Sequence, residues 1–379
     1  MIKILFLINT LGGGGAERVL VNLVNNMNSA EFDITVKTMF KGGVNASLLK
    51  KNIRYLNKNA PCPRGIAYLF KFIPAKILFN YFVGNEHFDV LVAYMHGAPV
   101  KTVCGCSDKD VKKVAWLHNG NPETGTFFKF WFRKKGAYKA YSQCDKLTAV
   151  SKSVADSFSM FTGINNISIV YNTNDVAKIK ELSIEDCPVA FKNNSPVICS
   201  VGRLVKEKAY DRLINVAARL KKEGFDFNLV IVGDGEKRDE LRKQVKNLNA
   251  SDYIRFTGYD ANPYKYLRQS DIFVCSSYTE GLSTALTEAV ILGLPCVSTN
   301  VSGAKEILGE NNEYGIVTEN SEQGIYEGIR KMLEDENIRR HYSQKAIERS
   351  VLFNTENTVK QAEDLFKSLI NNGAAFRVK

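Results

Sequence analysis

Three short stretches of the chain carry residue types able to hold a phosphate and a sugar. The first is Gly12-Gly13-Gly14-Gly15-Ala16-Glu17. Successive glycines let the backbone approach a ligand closely, and a helix after them presents free N–H groups to an anion. The spacing is not a dinucleotide fingerprint, and no Gly-Lys-Ser/Thr follows to make a P-loop. The second stretch is Gly202-Arg203-Leu204-Val205-Lys206-Glu207-Lys208. A guanidinium fork and an ammonium at a strand end can grip a diphosphate, although Lys206 and Lys208 look equally basic on sequence. The third runs from Ser276 through Glu280, Gly281, Leu282 and Ser283 to Glu288 and Ala289. Here a strand ends at Cys275, a loop carries Glu280 and Gly281, and a helix beginning near Ser283 offers its amides to phosphate oxygens. A carboxylate grips neighbouring sugar hydroxyls, so Glu280 before that helix and Glu288 inside it suit a sugar nucleotide. The plainer readings are a flexible turn, a solvated basic loop and an exposed helical glutamate. Against the last, Leu286, Ala289 and Val290 beside Glu288 are apolar.

These stretches need strand ends and helix starts to position them. Near-continuous apolar runs at Ile4–Ile8, Ile34–Met39, Val90–Tyr94, Lys113–Leu117, Leu147–Val150 and Ile167–Tyr171 alternate with helical patterns. A second series follows at Val197–Val201, Leu229–Val232, Ile254–Phe256, Ile272–Cys275 and Cys296–Ser298. Such runs predict parallel sheets covered on both faces, and two series predict two doubly wound α/β halves. The join falls near Asn172–Pro196, in polar irregular sequence. The expected domains are therefore 1–172 and 173–379. A last helix over 355–371, with Thr355 at its start and Val359, Ala362, Leu365, Phe366 and Leu369 at helical spacing, can pack back on the first.

The chain has 379 residues, 45% of them hydrophobic and 24% charged, which excludes disordered, collagenous and small disulfide-stapled classes. No apolar run reaches membrane-spanning length; Ile66–Val83 is broken by Lys71, Pro74 and Lys76. Met1–Phe6 lacks the features of a signal peptide. Eight cysteines, several inside apolar runs, read as reduced thiols in a cytoplasmic protein. Cys104-Gly105-Cys106 has no second pair to complete a zinc site, and Asp108-Lys109-Asp110 reads as a surface turn. The net charge of +11 favours anionic partners.

The three stations, in this order, resemble the retaining glycosyltransferases of family 4, which have the GT-B fold: two Rossmann-like domains facing across a cleft. Glu280-x7-Glu288, set between Asp271-Ile272-Phe273-Val274 and Gly293-Leu294-Pro295-Cys296-Val297, is the most specific match. Val150-Ser151-Lys152-Ser153-Val154, Tyr171-Asn172, Gly202-Arg203-Leu204, Val232-Gly233-Asp234-Gly235 and Gly303-Ala304-Lys305-Glu306-Ile307-Leu308 add to it. The resemblance implies that Arg203 and Lys208 contact the donor diphosphate, that Glu288 binds the ribose, and that Glu280 with the Gly281–Ser283 backbone contacts the transferred sugar. Gly14 and Gly15 are implied to close over the donor. His118, after Val114-Ala115-Trp116-Leu117, is implied to lie near the reacting centre. It implies a nucleotide-sugar donor, UDP by family habit, no metal, and a glycan or lipid-linked acceptor for a surface polysaccharide or glycolipid. Ala209 departs from the family's usual glycine, which puts the local backbone in question. Loops Pro61–Val83 and Gly120–Lys135 are expected to set the acceptor.

Aromatics mixed with cations at Phe127–Lys135, and again over Ile66–Val83, suit an anionic membrane face, or else form core and cleft walls. His96 ends a strand and can line the acceptor cleft, whereas His87 and His341 read as solvated. A nucleic-acid-binding reading draws only on charge, since no helix-turn-helix, zinc-finger or RNP pattern is present. A nicotinamide-dependent dehydrogenase lacks Gly-x-Gly-x-x-Gly in frame, and Asp33 opens a strand instead of ending one. A catalytically dead homologue fits poorly with Glu280, Arg203, Lys208 and His118 all in place.

Overall fold

A computed structural model describes residues 1–60, 66–119, 127–189 and 195–375. The acceptor-loop expectations at 61–65 and 120–126, and Cys62 with them, lie outside the described residues. The chain forms two compact units, Met1–Thr173 with Thr355–Lys379, and Asn174–Asn354.

The first unit is a seven-stranded parallel sheet. Its strands are β1 (Ile2–Ile8), β2 (Phe32–Phe40), β3 (Arg54–Ala60), β4 (Val90–Ala93), β5 (Lys112–Leu117), β6 (Lys146–Ala149) and β7 (Ile167–Ile169). Their order is β3-β2-β1-β4-β5-β6-β7. β1 and β4 are central and buried on both faces, which is why they read as unbroken apolar runs. The order reverses between them, so the ends of β1 and β4 border the switch point where such sheets bind ligands. The last helix, Thr355–Ala375, is grouped with this unit. Its fully buried Phe366 meets Phe6, Phe32 and Trp116 edge-on or tilted.

The second unit is a six-stranded parallel sheet. It contains β8 (Val197–Val201), β9 (Asn228–Val232), β10 (Ile254–Gly258), β11 (Ile272–Cys275), β12 (Cys296–Thr299) and β13 (Ile316–Thr318). The order is β10-β9-β8-β11-β12-β13, so the reversal falls between β8 and β11. Those two strands carry the second and third sequence stations at their carboxyl ends. The amphipathic helix Tyr210–Lys222 covers one face with Leu213, Ile214, Val216 and Leu220 in the core beside Ile198, Leu229 and Val274. β3 and β13 escaped the sequence reading. Both are edge strands, one polar (Arg-Tyr-Leu-Asn-Lys-Asn-Ala) and one only three residues long, so neither carries the apolar run of a central strand. Among the described residues no helix is long and apolar enough to cross a membrane.

Candidate active site

In the second unit β8 ends at Val201 and the chain turns through Gly202, Arg203 and Leu204. The Leu204 N–H donates to Asp234 O at 3.0 Å, and Lys237 N–H donates to Leu204 O at 2.9 Å. The Gly233-Asp234-Gly235 segment after β9 thus braces the basic loop. Arg203 is exposed and makes no ion pair among the described residues. A single turn over Lys206–Lys208 then ends at Ala209, which is buried and left-handed at φ 51° and ψ 44°. The backbone here is the one a glycine would take, and the methyl group is carried at a cost of about 1 kcal/mol. Ala209→Gly should therefore raise stability by up to about 1 kcal/mol. Urea unfolding checks this, and an unchanged or lower midpoint goes against it.

Lys208 and not Lys206 faces the third station. Its Nζ lies 2.5 Å from Glu280 Oε1, with both side chains mostly buried, whereas Lys206 is exposed. Ser277 Oγ donates to the same carboxylate oxygen at 2.6 Å. Ser276 Oγ donates to Lys208 O at 2.9 Å, and Tyr278 N–H to Glu207 O at 2.8 Å. The two loops are stitched together by backbone and side chain alike. Lys208, Ser276, Ser277 and Ser283 share one small cavity with Ser200, Tyr210 and Phe273.

The following helix, Thr284–Ile291, is capped by Ser283, whose Oγ accepts from Leu286 N–H at 3.4 Å. Glu288 is half-buried and accepts from Tyr264 OH at 3.0 Å. That bond orients the carboxylate, and Tyr264 was not singled out from sequence. Gly303 (φ 77°) closes the loop from below. A side chain there would sit 2.8 Å from Leu282 Cδ1 and 2.9 Å from Gly281 O, so glycine is needed for Gly281 and Leu282 to lie where they do.

Arg212 was also missed. It is 5% exposed, and its guanidinium donates to Ser276 O (Nε, 2.9 Å), to Ser277 O (Nη2, 2.8 Å) and to Asn320 Oδ1 (Nη2, 2.7 Å). It also lies 4.2 Å from the Tyr278 ring centroid. Thr299 Oγ1 donates to Ser277 O from the other side at 2.7 Å. Together they fix the backbone that delivers Glu280.

In the first unit Gly14 is the cap and Gly15 the first residue of the helix Gly15–Asn26. Gly43 and Asn45 hold the glycine loop. A Cβ on Gly43 would come within 2.2 Å of Leu11 O, and Asn45 N–H donates to Leu11 O at 3.1 Å while its amide donates to Gly12 O. His118 follows β5. Its Nε2 is buried without a hydrogen-bond partner among the described residues, and its ring lies 4.8 Å from that of Tyr94. Burial, helped by the nearby His96, pushes its pKa down to about 3. His96 is built differently. Its Nε2 accepts from Asn119 N–H at 3.1 Å, which places the proton on Nδ1, 3.3 Å from Tyr141 OH. Burial pushes it down to about 4. Both rings are neutral at pH 7, so His118 can accept a hydrogen bond at Nε2 or donate one there, depending on its tautomer.

Because both folded pKa values lie below the ordinary 6.5, the unfolded chain takes up protons that the folded one refuses. The stabilisation is complete above about pH 6.5 and drains as pH falls towards 4. At pH 5.5 each ring should cost roughly 1.4 kcal/mol. Urea unfolding at pH 7.5 and 5.5 checks this, with His96→Gln expected to remove about half of the difference.

Ser151 caps the helix Lys152–Thr162 through Val154 N–H. Asp108 and Asp110 are exposed and form a turn, with Asp110 N–H on Asp108 Oδ1 at 2.9 Å. Seven free thiols are seen, and among the described residues no group of three or more His, Cys, Asp or Glu is placed to hold a metal. His87 and His341 are exposed.

Two parallel-sheet units, each with glycine-rich or basic loops at the carboxyl ends of its central strands, define the GT-B class of glycosyltransferases. Model matches agree. "Glycosyltransferase Family 4" matches residues 13–178 and "Glycosyl transferases group 1" matches 185–349. An N-acetylgalactosamine-N,N'-diacetylbacillosaminyl-diphospho-undecaprenol 4-alpha-N-acetylgalactosaminyltransferase of Campylobacter jejuni is 30% identical, over 98% of this chain and all of that one. The crystal structure of an Anabaena protein in complex with UDP and glucose superposes with a TM-score of 0.76 at 20% identity, over 97% of this chain and all of that one. A sucrose-phosphate synthase from Thermosynechococcus elongatus gives 0.77 at 15% identity, over 98% and 100%. The chain belongs to glycosyltransferase family 4.

Proposed function

We propose that this glycosyltransferase moves a sugar from a UDP-sugar to a glycan or lipid-linked acceptor, with retention at the anomeric carbon, in the synthesis of a surface polysaccharide or glycolipid at the cytoplasmic face of the membrane. The observation that carries the reading is the joining of Lys208 to Glu280 across two loops that sequence alone left separate. The similar Campylobacter enzyme is named for a diphospho-undecaprenol-linked acceptor, and the similar Anabaena protein was crystallised with UDP and glucose, which supports acceptor and donor.

In this reading Glu288 holds the ribose, Arg203 and Lys208 the diphosphate, and Glu280 with the Gly281–Ser283 backbone the departing sugar. Gly14, Gly15 and His118 of the first unit serve the same donor. The bond from the anomeric carbon to the phosphate oxygen breaks with its electron pair on phosphate, leaving an oxocarbenium-like sugar. The acceptor hydroxyl oxygen bonds to that carbon on the same face, and its proton passes to the departing phosphate oxygen. Arg203 and Lys208 stabilise the growing negative charge, the role a metal plays elsewhere.

A thermal-shift panel of UDP-, GDP- and ADP-sugars tests the proposal, repeated with Glu288→Ala and Arg203→Ala. The expected result is a UDP-sugar shift that both variants lose. No shift with any nucleotide sugar would overturn the donor assignment.

A further inference from the structure

We propose that one face of the first unit, built from the helices Ile66–Phe72 and Ala75–Phe82 and the segment around Phe132, docks on an anionic lipid bilayer. The surface deepens the reading of a lipid-linked acceptor and rests on it for its purpose, though not for its geometry.

Over residues 69–82 the apolar side chains divide between a buried and an exposed set. Phe70, Leu78 and Phe82 are buried, while Leu69, Phe72, Ile77 and Tyr81 point outward and are each more than half exposed. Phe132, from a segment far along the chain, is 65% exposed, and its ring packs edge-on against Phe72 with centroids 4.9 Å apart. Isolated exposed apolar residues are ordinary; four on two successive helices, one of them packed on an exposed aromatic from a third segment, are not.

A buried lysine assembles the face. Lys101 is 7% exposed, and its Nζ donates to Phe70 O, to Lys71 O at 3.3 Å and to Phe130 O at 3.1 Å. Burial lowers its pKa, and carbonyls from both segments supply its acceptors. One ammonium therefore clips the first helix to the stretch that carries Phe132.

Charge selects the occupant. Stretch 66–83 contributes two cations and stretch 127–144 five, with no Asp or Glu in either. Arg133, Lys134 and Lys135 directly follow Phe132 and are exposed. Exposed aromatic and aliphatic tips ringed by lysine and arginine suit the headgroup layer of an anionic leaflet, where apolar side chains enter and cations meet phosphate. A second copy of the same chain would bring like charges together.

Sedimentation with phosphatidylglycerol-containing vesicles, against phosphatidylcholine vesicles, tests the surface. The full chain should bind the anionic vesicles at least tenfold better. Lys134→Gln with Lys135→Gln should weaken that binding by about 25-fold, near fivefold per cation, and Phe72→Ser with Phe132→Ser by about tenfold. The UDP-induced thermal shift should persist in every variant, which separates this surface from folding and from the donor site. Transfer to a short-chain, water-soluble polyprenyl diphosphate acceptor should persist as well. Loss of that transfer in the unmodified protein with vesicle binding intact strikes the acceptor reading and leaves the surface standing. Equal sedimentation with both vesicles, or with neither, overturns the surface. So does a concentration-dependent dimer that the same substitutions dissolve.

Discussion

Lys208→Met should lower kcat by about two to three orders of magnitude with the donor saturating, the scale set by removing one charged stabiliser from a developing anion. The substitution also breaks a mostly buried ion pair, so it should cost about 2 kcal/mol of stability by stranding the Glu280 carboxylate. Those two effects have different origins and can be separated. In Lys208→Met with Glu280→Gln no charge is left stranded, and Ser277 Oγ, 2.6 Å from the Glu280 oxygen in the native chain, still has an acceptor. The double variant should recover most of the lost stability, read by urea unfolding, while single-turnover transfer stays slow. Recovery of transfer along with stability would mean that Lys208 serves the fold and not the leaving group. Arg203→Ala makes the complementary case. Its side chain is exposed and unpaired among the described residues, so the same loss of transfer should come with almost no change in stability.

How much of this was legible in the sequence follows from which side chains announce their setting. The central strands were readable because burial on both faces demands unbroken apolar runs, while β3 and β13 were lost at the edges where that demand lapses. The helix start at Ser283 was readable from its cap chemistry. Lys208 was set apart from Lys206 by the family resemblance alone, because residue type cannot separate two lysines on either side of Glu207; the single turn ending at left-handed Ala209 is what points Lys208 at Glu280. Gly43, Asn45 and Tyr264 were invisible for another reason. Each acts on a partner distant in sequence, on Leu11, Gly12 and Glu288, and no local pattern records such a contact. His96, expected to line an acceptor cleft, is fixed between Asn119 N–H and Tyr141 OH, partners that no local pattern announces.

Arg212 left a signal that went unused, and it yields the second large effect. On the helix Tyr210–Lys222 it stands four residues before buried Val216, on the stripe that faces the core, where a cation is tolerated only if its donors are satisfied. Its acceptors are the carbonyls of Ser276 and Ser277, four and three residues ahead of Glu280. Arg212→Leu should take the charged donor from Ser276 O, leave Ser277 O with Thr299 Oγ1 alone, and cost about 3 kcal/mol. It should also let the loop shift, and a displacement of about 1 Å at a reacting site lowers kcat/KM by about 100-fold. Lys in its place has a point charge and no planar fork, so Arg212→Lys should recover only part of either quantity. The control is Val216→Ala, which thins the same helix–sheet contact without touching the loop. Assayed well below both unfolding midpoints, Val216→Ala should keep kcat/KM within about twofold of the parent, as expected of a substitution felt only in the core. If the two variants lost activity in proportion to their stability, Arg212 would be a core residue that happens to be charged. If Arg212→Leu alone lost kcat/KM, the guanidinium would be a positioning residue acting through Ser276 and Ser277 on Glu280.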